Sequence, residues 1–580
     1  MRIAKYSAPT SLKLLILVVV LVALGLNTAC GGLAASPPGA GAPNSPPTPT
    51  PTPAQPADIT AIHNIVFMMQ ENRSFDSYFG QLGAYRAANG YGAATDVDGL
   101  PAGGAVNLND AQQPVSSFHF HTACEENVDP DWLESHGDYN LADPGSNTFV
   151  GDGFVHNAQG YARTQGQVTE MAGPAGTVTV NPTVTTNYYL FADALASTEN
   201  YTSLPLAVAT VTVTGDSKTG TPSAPSISAP AGVTFTATPS TVAPGQAVTL
   251  QWNVPGAGKT LIDTWYDQLG RRAMGYYDGG DLNYYYFMAS SFATSDRWFS
   301  PMPGNSVPNR FYLYAATTHG HAHDPGILDS GTVKNIFQLL DAAGVTWRVY
   351  YTIDPALPNT PHTLLTRFQP FASQHMGNLA PASQFASDVK NGALAQVSLI
   401  EELPGYDEHP GATLPGNIHS GNNNQAGAQY VSTFINTFMN SPYWANGVFF
   451  LTFDEGGGFY DHVAPLATVS PDGIPPQDLL AKDIQDIVPQ GDFTRTGYRV
   501  PLLVISPFSR KGLVSHSPAD YTAILKFIET RFNLPSLTAR DAAQMDMSKE
   551  FFDFTNPPWL TPPTPPAQNT NLPCDYTNLQ

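Results

Sequence analysis

Nearly continuous apolar runs alternate along this chain with segments of helical periodicity. The runs predict buried strands at residues 62–69, 346–351, 396–400, 448–453 and 500–505. Between them, apolar residues return every three to four positions, as in amphipathic helices. Strands that are apolar on both faces and separated by helices favour a mainly parallel sheet with helices on its two sides. The pattern therefore predicts an α/β fold.

Three of the predicted helices have well-marked features. In "AGAQYVSTFINTFMNSP" the apolar positions follow the spacing i, i+3, i+4, i+7 and i+8: Val431, Phe434, Ile435, Phe438 and Met439. The segment "SPADYTAILKFIETRF" predicts Ser517 as the N-cap and Pro518 as the first helical residue. The segment "TVKNIFQLLDAAG" predicts a helix that ends at the C-cap glycine Gly344.

From residue 173 to 263 the pattern changes to a period of two, and Thr, Val, Pro and Ala predominate. Such alternation predicts half-buried strands, and several in succession predict a small β-sandwich inserted into the α/β fold. The segment resembles bacterial immunoglobulin-like modules with their two halves in reversed order. Its simplest role is that of a spacer or adhesive accessory. The alternative is that it forms two hairpins of the main domain.

The N-terminal segment predicts export. Residues 1–30 combine basic residues with a following apolar stretch, as in a signal peptide, and Cys30 follows a small residue as in a bacterial lipobox. Lipidation of Cys30 implies a cell-envelope lipoprotein; the alternative is ordinary cleavage and secretion. Residues 31–58 are rich in Pro and Thr and predict an extended spacer. In an oxidising compartment a disulfide between Cys124 and Cys574 is plausible, the alternative being two free thiols.

The charge of the chain restricts its partners. Its 580 residues include 25 Lys+Arg and 47 Asp+Glu, which gives a formal net charge of −22. Such a surface repels the phosphate backbone of nucleic acids, so nucleic acid is excluded as a partner. A small anionic substrate needs local positive charge to overcome this field, which directs attention to metal sites and helix termini.

Oxygen-bearing side chains follow two of the predicted strands. Glu71 and Asn72 come after the first strand, and Asp454 and Glu455 come after the strand at 448–453. Ligands of open α/β sheets bind beyond the carboxyl ends of the strands. Carboxylate and amide oxygens suit a hard divalent cation such as Ca²⁺, Mg²⁺ or Mn²⁺. The alternative for each pair is a helix cap or a solvated turn, which is harder to maintain for two pairs at one sheet edge.

A candidate nucleophile lies in "SPMPGNSVPNRFYLYAATTHG". Here Ser306 precedes Pro308 and an apolar helical segment, so we predict Pro308 as the first helical residue and Ser306 at the helix N-terminus. Free N–H groups at that end favour bound anions. The alternative is that Ser306 is only an N-cap. The following "THGHAHD" stretch does not have the spacing of known zinc motifs, and we interpret it as a mobile loop near the cleft.

Five segments, in this order, carry a family resemblance: "ENRSFDSYFG", "DPDWLESHGDYN", "GYYDGGDLNYYYFMASSFATSDRWFSPMPGNSVPNR", "DEHPG" and "LTFDEGGGFYDHV". Together they resemble the bacterial phosphoesterase family that contains phosphatidylcholine-type phospholipases C and respiratory-burst-inhibiting acid phosphatases. The resemblance implies a fold similar to alkaline phosphatase. It assigns 59–172 and 264–580 to one discontinuous catalytic domain, interrupted by the sandwich at 173–263.

The resemblance also implies roles for individual residues. The positions that match the metal ligands of the family are Glu71, Asn72, Ser306, Asp454 and Glu455. Ser306 is implied as the nucleophile, and His136 and His409 are implied to face the phosphoryl group. Many relatives have an additional His-Ser in the motif written here as "DPDW", a departure that bears on His136. His462, which follows the second acidic pair, is a further phosphate-binding candidate.

These observations predict a metal-dependent phosphoesterase. Ser306 attacks phosphorus, a phosphoserine forms, and His409 or His136 protonates the leaving oxygen, a role suited to an imidazolium at mildly acid pH. A phospholipid and a phosphate monoester both remain open as substrates. The alternative from another class is a surface-anchored adhesion lipoprotein with an inactive enzyme-like domain. A sulfatase is disfavoured because "SVPNR" around Ser306 lacks the sulfatase Cys/Ser-x-Pro-x-Arg signature.

Overall fold

The computed structural model describes residues 57–109, 112–125, 128–160, 169–183, 185–192, 205–215, 227–263, 270–353, 361–401, 406–410, 423–574 and 579. The predicted signal peptide, Cys30 and almost all of the predicted spacer lie outside these residues. Within them, none of the helices has the length and apolar composition needed to cross a bilayer.

The described residues form a central sheet from strands far apart in sequence. Its strands are β1 (Asn64–Gln70), β2 (Trp347–Ile353), β3 (Pro361–His362), β4 (Leu379–Pro381), β5 (Val397–Ile400), β6 (Gly447–Phe453) and β7 (Leu502–Ile505). Their spatial order is β3-β2-β5-β1-β6-β7, and β4 pairs with β2. The four pairings β2/β5, β5/β1, β1/β6 and β2/β4 are parallel, whereas β6/β7 and β2/β3 are antiparallel. The predicted mainly parallel sheet is confirmed.

The central strands are buried on both faces, which explains their unbroken apolar sequences. Every residue of β1 and of β6 is buried. Their register aligns Asn64 with Gly447 and Gln70 with Phe453, so the two strands begin and end side by side. The chain segments that follow β1 and β6 therefore leave the sheet at the same point.

Helices connect and cover these strands. They are α1 (Phe75–Phe79), α2 (Leu82–Ala88), α3 (Trp132–Tyr139), α4 (Phe154–Gly160), α5 (Asn283–Ser291), α6 (Ser306–Ala315), α7 (Ile336–Ala342), α8 (Phe371–Gln374), α9 (Phe385–Lys390), α10 (Asn424–Met439), α11 (Ala481–Asp486), α12 (Thr522–Phe532), α13 (Ala539–Ala542) and α14 (Met547–Glu550). Short strands also pair distant segments: Val106–Leu108 with Pro114–Ser116, Phe118–His119 with Gly275–Tyr276, Thr294–Ser295 with Val514–Ser515, Trp298–Phe299 with Ala519–Asp520, and Leu328–Asp329 with Phe368–Gln369.

Helix boundaries agree with the sequence in two cases and differ in a third. The helix α10 contains the predicted apolar stripe, and Gly344 at φ +69° follows the end of α7 as predicted. The prediction for Ser517 and Pro518 was wrong. The helix α12 begins at Thr522, because the preceding Ala519–Asp520 pairs as a short strand with Trp298–Phe299.

The period-two region folds as two facing sheets with a hydrophobic core of their own. One sheet has the order Thr241–Val242, Ala207–Val213, Thr186–Ala192, Lys259–Asp263 and Thr169–Ala172; the other has the order Ala175–Val180, Val248–Asn253 and Thr234–Thr238. This core is separate from the core around the central sheet, which favours an inserted module over two hairpins of the main domain. The indole N–H of buried Trp252 donates to the Thr260 hydroxyl of the facing sheet at 2.8 Å. The strand Thr169–Ala172, just before the predicted boundary at residue 173, also pairs with Lys259–Asp263.

Cys124 and Cys574 form the predicted disulfide, which joins residues 450 positions apart in the sequence. Backbone bonds on either side continue the attachment: the N–H of His121 donates to the Leu579 carbonyl, and the N–H of Ala123 donates to the Pro573 carbonyl. Cross-linking a loop of this length raises the free energy of the unfolded chain by about 6 kcal/mol in the chain-entropy treatment. The disulfide therefore attaches the C-terminal tail to the segment that leads into α3.

Candidate active site

The site begins where β1 and β6 end together. The Asn72 N–H donates to Asp454 Oδ1 at 2.9 Å, and the Glu455 N–H donates to the same oxygen at 2.8 Å. The Arg73 N–H donates to the Glu455 carbonyl at 3.0 Å. Asn72 has φ +58°, an uncommon backbone conformation for a residue other than glycine. The two oxygen-bearing pairs predicted at separate strand ends are thus joined by direct hydrogen bonds.

Ser306 lies at the start of α6 and points to this pair. Its hydroxyl donates to Asn72 Oδ1 at 2.9 Å, and it also hydrogen-bonds to the Asp454 carboxylate. Asn305, rather than Ser306, is the N-cap residue, and its amide donates to Asp131 Oδ1 at 2.6 Å instead of capping the helix. Pro308 is the third helical residue, so its prediction as the first was wrong. The hydroxyl is held where the helix presents unpaired N–H groups.

Arg310, one turn along α6 from Ser306, was not selected from the sequence. Its Nε donates to Asp454 Oδ2 at 2.9 Å, and its Nη2 lies 3.0 Å from Glu71 Oε1. Its Nη1 lies 3.7 Å from Glu401 Oε2. The i, i+4 spacing to Ser306 is the sequence signal that could have identified it. The guanidinium links the carboxylates that follow β1, β5 and β6, and brings fixed positive charge to an acidic site.

Glu455 is buried, with 3% of its surface exposed. Its Oε2 accepts a hydrogen bond from the Gly457 N–H at 2.5 Å, whereas Oε1 has no hydrogen-bond partner among the described residues. Burial, and then the neighbouring Asp454 carboxylate, raise the pKa of Glu455 well above its usual value. Gly457 has φ +68°, and a Cβ there would lie 2.4 Å from the Asn72 carbonyl oxygen, so only glycine fits this turn.

These donors fit a hard divalent cation. Hydrogen bonds join Asn72, Ser306 and Asp454, Glu455 directly follows Asp454, and Arg310 links Glu71 to Asp454. A buried carboxylate oxygen without a donor is costly unless a proton or a cation pairs with it. Oxygen-only ligands favour Mg²⁺, Ca²⁺ or Mn²⁺ over softer metals. The residues that the sequence singled out thus lie at the ends of neighbouring strands or at the start of α6, and their oxygens are chemically suitable for a cation.

His409 lies beside the same strand end. The Glu71 N–H donates to the Asp407 carbonyl at 2.9 Å, which aligns the segment 406–410 with the exit of β1. Glu408 has φ +67°, and its buried carboxylate accepts bonds from Gln70, Tyr78 and Tyr285, which fix the backbone around His409. Nδ1 of half-buried His409 contacts the Pro410 carbonyl at 2.5 Å. A proton on Nδ1 follows from this contact, because a carbonyl oxygen can only accept.

His136 does not have the predicted character. It lies buried on α3, its Nδ1 donates to the Trp132 carbonyl at 2.7 Å, and its ring packs on Trp132 at 4.6 Å. Burial lowers the pKa of His136 to about 4. The ring is therefore neutral at mildly acid pH, which is incompatible with the predicted imidazolium acid.

His462 does not face the phosphoryl site either. Its Nδ1 lies 2.7 Å from Asp76 Oδ2, and its Nε2 lies 3.1 Å from Asp98 Oδ1. Burial opposes protonation, but the hydrogen bond to Asp76 together with the negative charges of Asp76 and Asp461 outweighs it and raises the pKa of His462 to about 9. With both nitrogens held by carboxylates, His462 is a structural cation, and its prediction as a phosphate ligand was wrong.

The histidines of "THGHAHD" do not converge on a common point. Each approaches a different aspartate: His319 with Asp472 at 4.0 Å, His321 with Asp478 at 3.1 Å, and His323 with Asp483 at 2.7 Å. These pairs anchor the loop to the segment 472–483. The loop therefore lies against its neighbours, and its mobility stays a prediction.

Comparison with known proteins shows the family to which this chain belongs. The model of the phosphoesterase family matches residues 62–242 and 238–535. The chain therefore belongs to the phosphoesterase family, and the predicted class, hydrolases that act on phosphoester bonds, is confirmed at the level of the family.

Two relatives are phospholipase C B of Mycobacterium tuberculosis, 34% identical over 49% of this chain and 57% of that protein, and non-specific phospholipase C1 of Arabidopsis thaliana, 32% identical over 47% and 50%. The chain thus spans about half the length of the curated relatives it matches. A phosphonate monoester hydrolase from Silicibacter pomeroyi aligns with a TM-score of 0.28 and 12% identity over 44% of this chain and 69% of that one.

Proposed function

We propose that this protein is a metal-dependent phosphoesterase of the phospholipase C type with Ser306 as its nucleophile. The observation that carries the proposal is the 2.9 Å hydrogen bond from Ser306 to Asn72 Oδ1 at the start of α6. It places one hydroxyl beside the oxygens that follow β1 and β6. Family membership and relatives named phospholipase C support the reaction class.

In the first step Ser306 Oγ attacks phosphorus in line with the leaving alcohol. The Oγ–P bond forms while the bond from phosphorus to the leaving oxygen breaks, and the hydroxyl proton passes to water. The N–H groups at the start of α6 face the negative charge that builds up on the phosphoryl oxygens, and Arg310 balances the carboxylates around them. The product is a phosphoserine.

A divalent cation held by Glu71, Asn72, Ser306, Asp454 and Glu455 would supply positive charge beside the serine oxygen and the phosphoryl group. Glu71 and Asp454 are already oriented by Arg310, and Glu455 by Gly457. Hydrogen bonds and ion pairs within the chain therefore fix the orientation of these carboxylates.

His409 is proposed as the acid that protonates the leaving oxygen. Because Nδ1 is bonded to the Pro410 carbonyl, Nε2 is the nitrogen assigned to this transfer. In the second step water attacks the phosphoserine and passes its proton to Nε2, and Ser306 Oγ takes a proton from water as it leaves. The cycle ends with the free hydroxyl and a phosphate or a phosphorylated head group.

The substrate class is tested by two chromogenic esters. Because the matched relatives are phospholipases C, we expect p-nitrophenylphosphorylcholine to be hydrolysed at least about tenfold faster, in kcat/KM, than p-nitrophenyl phosphate. Both assays are run with added Ca²⁺, Mg²⁺ or Mn²⁺ and again after chelation. Faster hydrolysis of the monoester assigns the protein to the acid phosphatases instead. If neither ester is hydrolysed under any of these conditions, the enzymatic proposal is refuted. The alternative, an adhesion protein with an inactive enzyme-like domain, is then favoured.

We propose that the chain is exported, and that Cys30 carries a lipid anchor with residues 31–58 as spacer. The finer fold assignments, an alkaline-phosphatase-like catalytic domain and an immunoglobulin-like insert, are proposals of the same kind. The sequence of the N-terminal segment supports export and the anchor. The mainly parallel sheet supports the catalytic-domain assignment, and the two facing sheets of the insert support the immunoglobulin-like assignment. Fatty-acid labelling that persists in Cys30→Ser would contradict the anchor.

A further inference from the structure

His119, Asp278 and Asp281 form a second cluster of possible metal ligands, built from different elements than the proposed active site. His119 ends the short strand Phe118–His119, and the two aspartates flank the turn that leads into α5. One ligand atom from each lies within 4.8 Å of the others. Nothing in the proposed reaction uses these residues.

The distances show a site that is nearly assembled. His119 Nε2 lies 2.6 Å from Asp281 Oδ2 and 3.9 Å from Asp278 Oδ2. His121, two residues further along, has its ring centroid 5.7 Å from that of His119. Residues separated by two in an extended segment point to the same side, so a second imidazole is close to the cluster.

Neighbouring bonds hold the ligands in place. Asp281 Oδ2 also accepts the Asp278 N–H at 3.0 Å, and Asp278 Oδ1 accepts the Gly280 N–H at 2.7 Å. The His119 ring stacks on Tyr276, its partner in the paired strands, at 5.9 Å. Supporting contacts of this kind fix the orientation of metal ligands in proteins.

The charge and exposure of the cluster favour a cation over a simple ion pair. Two carboxylates face one imidazole, so even a protonated His119 leaves negative charge unbalanced. The side chains of His119 and Asp278 are 35% and 43% exposed, so an ion from solvent can reach them. The Asp281 side chain is only 9% exposed and lies at the buried end of the cluster. Imidazole nitrogen together with carboxylate oxygen suits Zn²⁺ better than Ca²⁺ or Mg²⁺.

We propose that His119, Asp278 and Asp281, with His121 as fourth ligand, bind a Zn²⁺-type divalent cation at a structural site. The cation replaces the proton shared by His119 and Asp281. The cation would join two segments of the chain. One is the segment 119–124, which holds the C-terminal tail through the His121 N–H and the Cys124–Cys574 disulfide, and the other is the turn before α5. The site differs in chemistry from the oxygen-only cluster at Ser306, so the two can be loaded separately.

The test measures Zn²⁺ bound to the purified full chain by equilibrium dialysis with excess Mg²⁺ present, so that hard-oxygen sites are occupied. We expect the His119→Ala/His121→Ala variant to bind about one Zn²⁺ fewer per chain than the wild type. Asp278→Asn, an isosteric change at an exposed position, is expected to weaken Zn²⁺ binding about tenfold. The matched control His362→Ala/His516→Ala removes two other exposed histidines and should bind as the wild type does.

Equal Zn²⁺ content and affinity in the wild type, the double variant and Asp278→Asn would overturn the proposal. Unfolding of the double variant is detected by circular dichroism, and Asp278→Asn then decides the outcome alone. Substitution with Co²⁺ adds a second measurement, since tetrahedral nitrogen and oxygen ligation gives visible absorption that the double variant should lose. None of these results depends on phosphoesterase activity, so this proposal and the proposed function can fail separately.

Discussion

Ser306→Ala is expected to lower kcat on the preferred chromogenic ester by at least about 10⁴-fold. Without the hydroxyl no Oγ–P bond can form, and neither Asn72 nor Asp454 can replace it as a nucleophile in the same position. Substrate binding should change little, because the other groups of the proposed site remain in place. The loss should therefore appear in kcat rather than in KM.

The fold of this variant is expected to remain intact. Ser306 is half-buried at the helix start, and the lost bond to Asn72 costs about 1 kcal/mol. Ser548→Ala is a matched control, because Ser548 is a half-buried serine in the first turn of α14 whose hydroxyl donates to Asp546. The control should retain full activity. Turnover by Ser306→Ala within tenfold of the wild type would exclude Ser306 as the nucleophile.

The phosphoserine itself gives a second measurement. Rapid mixing of wild-type enzyme with the p-nitrophenyl ester should release a burst of nitrophenol approaching one equivalent if the second step is the slower one. Acid quenching should then recover phosphate or its ester covalently attached to Ser306. A label found on another residue would move the nucleophile there.

The sheet could be predicted from sequence because burial on both faces leaves an unbroken apolar run. All of the predicted strands correspond to strands of the central sheet, and their ends differ from the prediction by no more than two residues. The position of Glu71, Asn72, Asp454 and Glu455 follows from the same cause, since parallel neighbours in register end together. Where a functional side chain directly follows a strand, the sequence locates it well.

Roles that depend on tertiary partners could not be predicted. The sequence of a motif does not show whether its histidine contacts solvent, a carboxylate or an aromatic ring. Only the fold shows that His136 packs on Trp132 and that His462 lies between two aspartates. Ser517 and Pro518 have the composition of a helix start, but pairing of Ala519–Asp520 with a distant strand overrides that local preference. Arg310 was missed because its partners come from other parts of the chain.

Arg310→Met is expected to destabilise the metal-free protein by about 3–5 kcal/mol. The guanidinium is buried between carboxylates of Glu71, Asp454 and Glu401, at distances of 3.0, 2.9 and 3.7 Å. Methionine preserves much of the side-chain volume but leaves these carboxylates without their cation. Their mutual repulsion and desolvation then oppose folding.

The measurement is thermal unfolding by calorimetry in a chelator, repeated with excess Ca²⁺, Mg²⁺ or Mn²⁺. Arg348→Met is the matched control, because Arg348 pairs with Asp388 at 2.7 Å but is 28% exposed, and its loss should cost at most about 1 kcal/mol. If the oxygens around Ser306 bind a cation, that cation replaces part of the missing charge. The gap between Arg310→Met and the wild type should then narrow when the metal is added. If Arg310→Met loses no more unfolding free energy than Arg348→Met, Arg310 does not balance the acidic groups of the site. If the stability difference between Arg310→Met and the wild type is the same with and without metal, the cation binds elsewhere.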